Sequence, residues 1–73
     1  MTGTTGAGTV TVNGDAVPVG DVATLGALLE RLAILPQRVV VELNGIIYRR
    51  GEGLEQAVGP GDVVEIVHFV GGG

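Results

Sequence analysis

Apolar and polar positions alternate along the first patterned stretch of the chain, TVTV from Thr9, and β-branched residues at period two predict a strand. Asn13-Gly14 follows, a hairpin signal because both positions of the favoured two-residue turn need positive φ. The return strand is expected at AVPV, with Pro18 marking it as a short edge strand. Next, Leu25, Leu28, Leu29 and Leu32 fall at i, i+3, i+4 and i+7, the stripe of one amphipathic helix of about three turns. Thr24 is suited to cap its start and Pro36 to end it, while Gly26 costs about 1 kcal/mol relative to alanine inside a helix. Beyond it, VVVEL (Val39 to Leu43) predicts a strand, Asn44-Gly45 a second turn, and IIY a short strand. GEGLEQAVGPGD reads as loop, with one helical turn expected at Leu54 to Ala57 and a tight turn at Gly59-Pro60-Gly61-Asp62. VVEIVHFV, the longest strand candidate, closes the pattern.

The order is therefore β-β-α-β-(short β)-β, an α+β arrangement in which a single helix lays its leucines on one face of a four- to five-stranded mixed sheet. A hairpin, a crossover helix and a last strand parallel to the first are what a β-grasp sheet requires, and the right-handed crossover preference favours this arrangement over its mirror. Residues 1–8, MTGTTGAG, show no apolar period and are expected to form a flexible lead-in. Residues 9–70 form the domain and 71–73 a flexible glycine tail. Alternation in the last strand sends Val63, Glu65, Val67 and Phe69 to one face and Val64, Ile66, His68 and Val70 to the other, and Glu65 marks the first set as the solvent side. Val67 and Phe69 are then exposed apolar groups directly before the tail. They are either ordinary scattered surface residues or a partner-binding patch. His68 has no ligand-type neighbour on its strand and reads as structural.

Composition narrows the chemistry. The chain of 73 residues has no cysteine, which excludes disulfides, thiolate metal sites and a β-grasp ferredoxin. Valine, leucine and isoleucine fill the core, because aromatic residues make up only 3%. All four basic residues are arginines, and eight carboxylates bring the net charge to −4, which argues against nucleic acid as a partner and for a basic protein surface as the counterpart. No stretch resembles a membrane span or secretory signal, so the expectation is a soluble, cytoplasmic protein. No catalytic constellation can be assembled, and no catalytic residue or metal ligand is assigned.

What remains is the chain end, Gly71-Gly72-Gly73. Extended, three glycines span about 10 Å and, having no side chains, fit a channel that any Cβ would block. One reading is a frayed end; the other is a carboxylate delivered to another enzyme for conversion to an acyl adenylate, then to a thiocarboxylate. The VELNG turn, the Ile46-Ile47-Tyr48-Arg49-Arg50 stretch, the TLGALLERL helix and PGDVVEIVHFVGGG together resemble the ThiS family, ubiquitin-like sulfur carriers of thiamine biosynthesis, over about residues 9 to 73. The resemblance implies a β-grasp fold and a carrier that is not itself an enzyme. It also implies adenylation of Gly73 by a ThiF-type enzyme using ATP and magnesium, with Gly71 and Gly72 threading that enzyme's channel. A sulfur donor protein and thiazole synthase, ThiG, would be the further partners, and no stably bound cofactor is expected. Two departures stand out: the lead-in before residue 9, and Tyr48 where many members have proline. A MoaD-type carrier of molybdopterin synthesis, a carrier for another sulfur pathway, a ubiquitin-like protein modifier and a plain interaction domain are the alternatives.

Overall fold

The computed structural model describes residues 8–69. The TVTV stretch forms strand β1 (Thr9–Val12), which reverses at Asn13-Gly14 into β2 (Asp15–Pro18). Asn44-Gly45 makes the same reversal between β3 (Val39–Leu43) and β4 (Ile46–Arg49). The φ values, +50° and +88° in the first turn and +51° and +90° in the second, are those of type I′ turns, whose twist suits paired strands. Pro60 and Gly61 (φ +91°) make the tight turn into β5 (Val63–His68), with Asp62 N–H donating to Gly59 O at 3.1 Å.

The sheet order is β2-β1-β5-β3-β4, with β1 and β5 parallel and every other pair antiparallel. Pro18 lies in an edge strand, where its missing N–H breaks no central ladder. Gly8 O accepts Val19 N–H at 3.1 Å, so pairing reaches one residue beyond Thr9. Both turn asparagines also hold the central strand. Asn13 donates its N–H to Val64 O (2.9 Å), accepts Ile66 N–H on Oδ1 (2.6 Å) and donates Nδ2 to Ile66 O (3.2 Å). Asn44, on the other flank of β5, donates its N–H to Val63 O (2.8 Å) and accepts Val63 N–H on Oδ1 (2.9 Å). A primary amide suits this because it is donor and acceptor at once.

Helix α1 (Leu25–Arg31) starts where expected, with Thr24 Oγ1 accepting Ala27 N–H at 3.2 Å. The segment after β4 completes the cap: Leu25 N–H donates to Gln56 O (2.8 Å) and Gly26 N–H to Leu54 O (2.9 Å). These bonds satisfy donors that every helix start leaves open. They also explain two departures from expectation. Leu54 to Ala57 forms no helix: a single turn, with Gln56 N–H donating to Gly53 O at 3.0 Å, goes no further, because Leu54 O is taken by α1 and Pro60 has no N–H to offer Gln56 O. Gly26 is tolerated because a Cβ there would lie 3.2 Å from Leu54 O, inside ordinary contact.

The helix is shorter than the three turns expected. It stops at Leu32, where Ala33 N–H bonds Glu30 O (3.0 Å) and Ile34 N–H bonds Leu29 O (2.9 Å), a Schellman arrangement with Ala33 at φ +60°. Pro36 does not end it but opens a 3-10 turn, Pro36–Arg38. Alanine in the left-handed region costs roughly 1–2 kcal/mol. Ala33→Gly is therefore expected to stabilise the protein by about 1 kcal/mol, raising Tm by roughly 4–8 °C in a thermal melt.

Leu25, Leu28 and Leu29 are fully buried against Val10, Val39, Val41, Val64 and Ile66. Among the described residues no polar or charged side chain is buried.

Candidate functional site

The helix covers one sheet face and leaves the other to solvent. On β5 the expected alternation appears: Val64 and Ile66 are buried, whereas Val63, Glu65 and Val67 are exposed, Val67 by 63%. Phe69, just past the strand, is 37% exposed. His68 departs from its expected place with the core set. It pairs with Val39 in register, but β1 has already turned at Asn13, so no strand flanks it there and it is exposed. Val70, Gly71, Gly72 and Gly73 lie outside the described residues.

Strand register assembles the outer face in rows. Val67 lies opposite Val40, which lies opposite Arg49; one step back, Glu65 faces Glu42, which faces Ile47. In the row nearest the chain end, Phe69 N–H donates to Arg38 O at 3.0 Å and the Arg50 guanidinium carbon sits 4.3 Å from the Phe69 ring centroid. A guanidinium over a ring face is attracted by the ring quadrupole, by about 0.5–1 kcal/mol at an exposed site. Arg50 is delivered by local backbone geometry: its φ is +46° and its N–H bonds Val39 O at 3.1 Å. The turn behind it is fixed by Tyr48, half-buried on the core side. A Cβ on Gly53 (φ +71°) would come within 2.6 Å of the Tyr48 Cγ. Tyr48 thus has a packing role in shaping the loop that presents Arg49 and Arg50.

Arg38, Arg49 and Arg50 are exposed, and among the described residues none of them forms a salt bridge, the one ion pair being Arg31 with Asp21 at 2.6 Å. Glu42 and Glu65, like charges directly opposite across β3 and β5, form no salt bridge among the described residues. The outer face is therefore acidic in its middle and basic at the end where the chain leaves the sheet. No group of three His, Cys, Asp or Glu able to hold a metal occurs among the described residues.

Sequence reasoning singles out Val67 and Phe69 but misses Arg38 and Arg50 beside them. The Asn44-Gly45 turn is a partial signal, since it sets Arg49 opposite Val40; the further step from Val40 to Val67 depends on the pairing of β3 with β5, strands that no turn connects.

A mixed five-stranded sheet of this order, packed on one helix and with the strand toward the C-terminus at its centre, defines a ubiquitin-like β-grasp protein. The crystal structure of the thiamine biosynthesis protein ThiS from Geobacter metallireducens is similar at TM-score 0.69 and 35% identity, covering 89% of this chain and 99% of that one. The solution structure of a thiamine biosynthesis protein from the same organism is similar at TM-score 0.66 and 35% identity, covering 89% and 87%. The ThiS family model matches residues 9–73, and the chain belongs to the ThiS family. No significant match occurs among curated proteins. No described helix is long and apolar enough to cross a membrane.

Proposed function

We propose that this protein is a sulfur carrier of thiamine biosynthesis whose reactive group is the carboxylate of Gly73. A ThiF-type enzyme, using ATP and magnesium, joins that carboxylate to the α-phosphate and releases pyrophosphate. A sulfur nucleophile at the oxidation level of sulfide, furnished by a donor protein, then adds at the acyl carbon and AMP departs. The thiocarboxylate passes its sulfur to thiazole synthase. No electrons change hands at the acyl carbon, and none of these steps calls on a side chain of the carrier.

The supporting observation is the placing of β5. The strand that leads to the terminus is the central one, bonded to β1 on one flank and β3 on the other, and its last outward residues, Val67 and Phe69, are exposed apolar groups four to six residues from Gly73. A rigid base and an apolar docking patch next to a side-chain-free end suit delivery of the terminus into a partner's channel. Incubation with ThiF-type enzyme, ATP, magnesium and a sulfur source is expected to raise the mass by about 16 Da, sulfur replacing oxygen. An unchanged mass beside a demonstrably active enzyme refutes the proposal.

The patch carries its own prediction. Phe69→Asp is expected to raise the Kd for the activating enzyme about tenfold or more, as loss of an apolar interface anchor does. Its cost to stability should be only about 1 kcal/mol, because the ring is partly exposed already. Calorimetric titration alongside thermal melting checks both halves. Intact binding with a large fall in Tm would make Phe69 a core residue.

A further inference from the structure

We infer that the rim formed by Arg38, Arg49 and Arg50 around Phe69 docks on an acidic protein surface, a set of carboxylates beside the channel that admits the tail. The inference rests on the activation reaction proposed above and adds the chemistry of the surface that receives this carrier.

The distribution of charge carries it. Eight carboxylates outnumber four arginines, yet three of the four arginines gather where the chain leaves the sheet. Two separated segments supply them, the 3-10 turn before β3 and the end of β4, and strand register brings both beside Phe69. No acidic side chain among the described residues forms a salt bridge with them. Glu52 is the acidic group nearest in the chain, and its Oε1 accepts the backbone N–H of Arg49 at 3.3 Å rather than a guanidinium. Glu65 stands four residues back along the strand from Phe69, about 13 Å at strand rise, and Glu42, the diagonal neighbour of Arg49 across β3 and β4, makes no salt bridge with it. Three exposed guanidinium groups, without salt bridges among the described residues and interleaved with Val67, Val40 and Phe69, form a surface complementary to carboxylates set around an apolar centre.

Two other anionic occupants fit less well. Nucleic acid or an anionic lipid surface would meet a protein of net charge −4, repelled over its remaining surface. The phosphates of the activating nucleotide lie too far away. Four residues separate Phe69 from the end of Gly73, and extended they span about 13–14 Å, so a terminus placed at the α-phosphate leaves the arginines at the channel mouth.

The test is ATP–pyrophosphate exchange by the activating enzyme with the full-length carrier, comparing wild type, R49E, R38E/R49E and R31Q, with melting curves as the folding control. The wild-type KM for the carrier is expected to climb as NaCl goes from about 50 to about 300 mM, because salt screens a charged contact. R38E/R49E should raise KM about tenfold or more at low salt, keep kcat, and lose that salt dependence; R49E should show an intermediate effect. R31Q removes a cation whose partner is Asp21 and should match wild type. Unchanged KM in folded R38E/R49E, a salt-independent wild type, or an equal rise in R31Q overturns the inference while leaving the activation reaction intact. A loss in kcat at unchanged KM would place the arginines on the nucleotide and overturn it as well. Failure of the wild type to support any exchange removes the proposed reaction itself.

Discussion

Deletion of Gly73 should abolish thiocarboxylate formation while leaving the melting temperature where it was. The shortened chain still ends in a glycine carboxylate, so the expected loss is one of reach rather than of functional group. One residue contributes roughly 3.3–3.6 Å of extended chain, about the whole distance over which reacting atoms must be held for attack. With the body docked by its sheet face, the Gly72 carboxylate stops short of the α-phosphate by that amount, and misplacement by even about 1 Å can lower a rate about a hundredfold. Fold stability is untouched because the core is drawn from residues 10 to 66. Mass spectrometry of the truncated protein after incubation should show the starting mass only, at times when the full chain is converted. Conversion at the wild-type rate would mean that the body does not set the depth of the tail.

The second large effect is expected inside the domain. Leu28, wholly buried at the middle of the helix, faces the sheet among valines too small to close a gap behind it. Leu28→Ala removes three carbons with little room for collapse and should cost about 3 kcal/mol. A domain of this size has a total stability of roughly 4–10 kcal/mol, so the substitution takes a large share of it and lowers Tm by about 12–24 °C. The contrast between the two variants separates the body from the tail: one retains structure without activation, the other loses structure with its terminus intact. Activation of folded Leu28→Ala at low temperature should be near that of wild type.

Much of this architecture is written locally. Asn13-Gly14 and Asn44-Gly45 name their own turns, and alternation on β5 sorts Val64 and Ile66 from Val67 without reference to the rest of the chain. The features that escape such reading depend on partners distant in sequence or on conformations that propensity disfavours. Nothing in the composition of LLERLAILP says that Ala33 takes a left-handed conformation, and the proline beyond it is the more visible stop signal. Leu54 to Ala57 has ordinary helix-forming residues, but Leu54 O and Gln56 O bond amides roughly thirty residues earlier in the chain. The Arg50 contact with Phe69 depends on two strand pairings, the β3–β4 hairpin and the pairing of β3 with the distant β5. The asparagine side chains bonded to β5 are invisible until β5 is known to be the centre of the sheet. As for the tail, the roles proposed for Gly71, Gly72 and Gly73 rest on family likeness and the chemistry of a bare carboxylate, since these residues lie outside the described ones.

The position of β5 has a mechanical side. Under the proposed activation, a partner drawing the terminus inward would load β5 along its strand axis, crosswise to the ladders on both flanks. Loaded in that direction the bonds resist together in shear, whereas an edge strand peeled from its end would yield them one by one. Seating this strand between two others, with an asparagine amide bonded on each side, would let those bonds share a pull on the chain end.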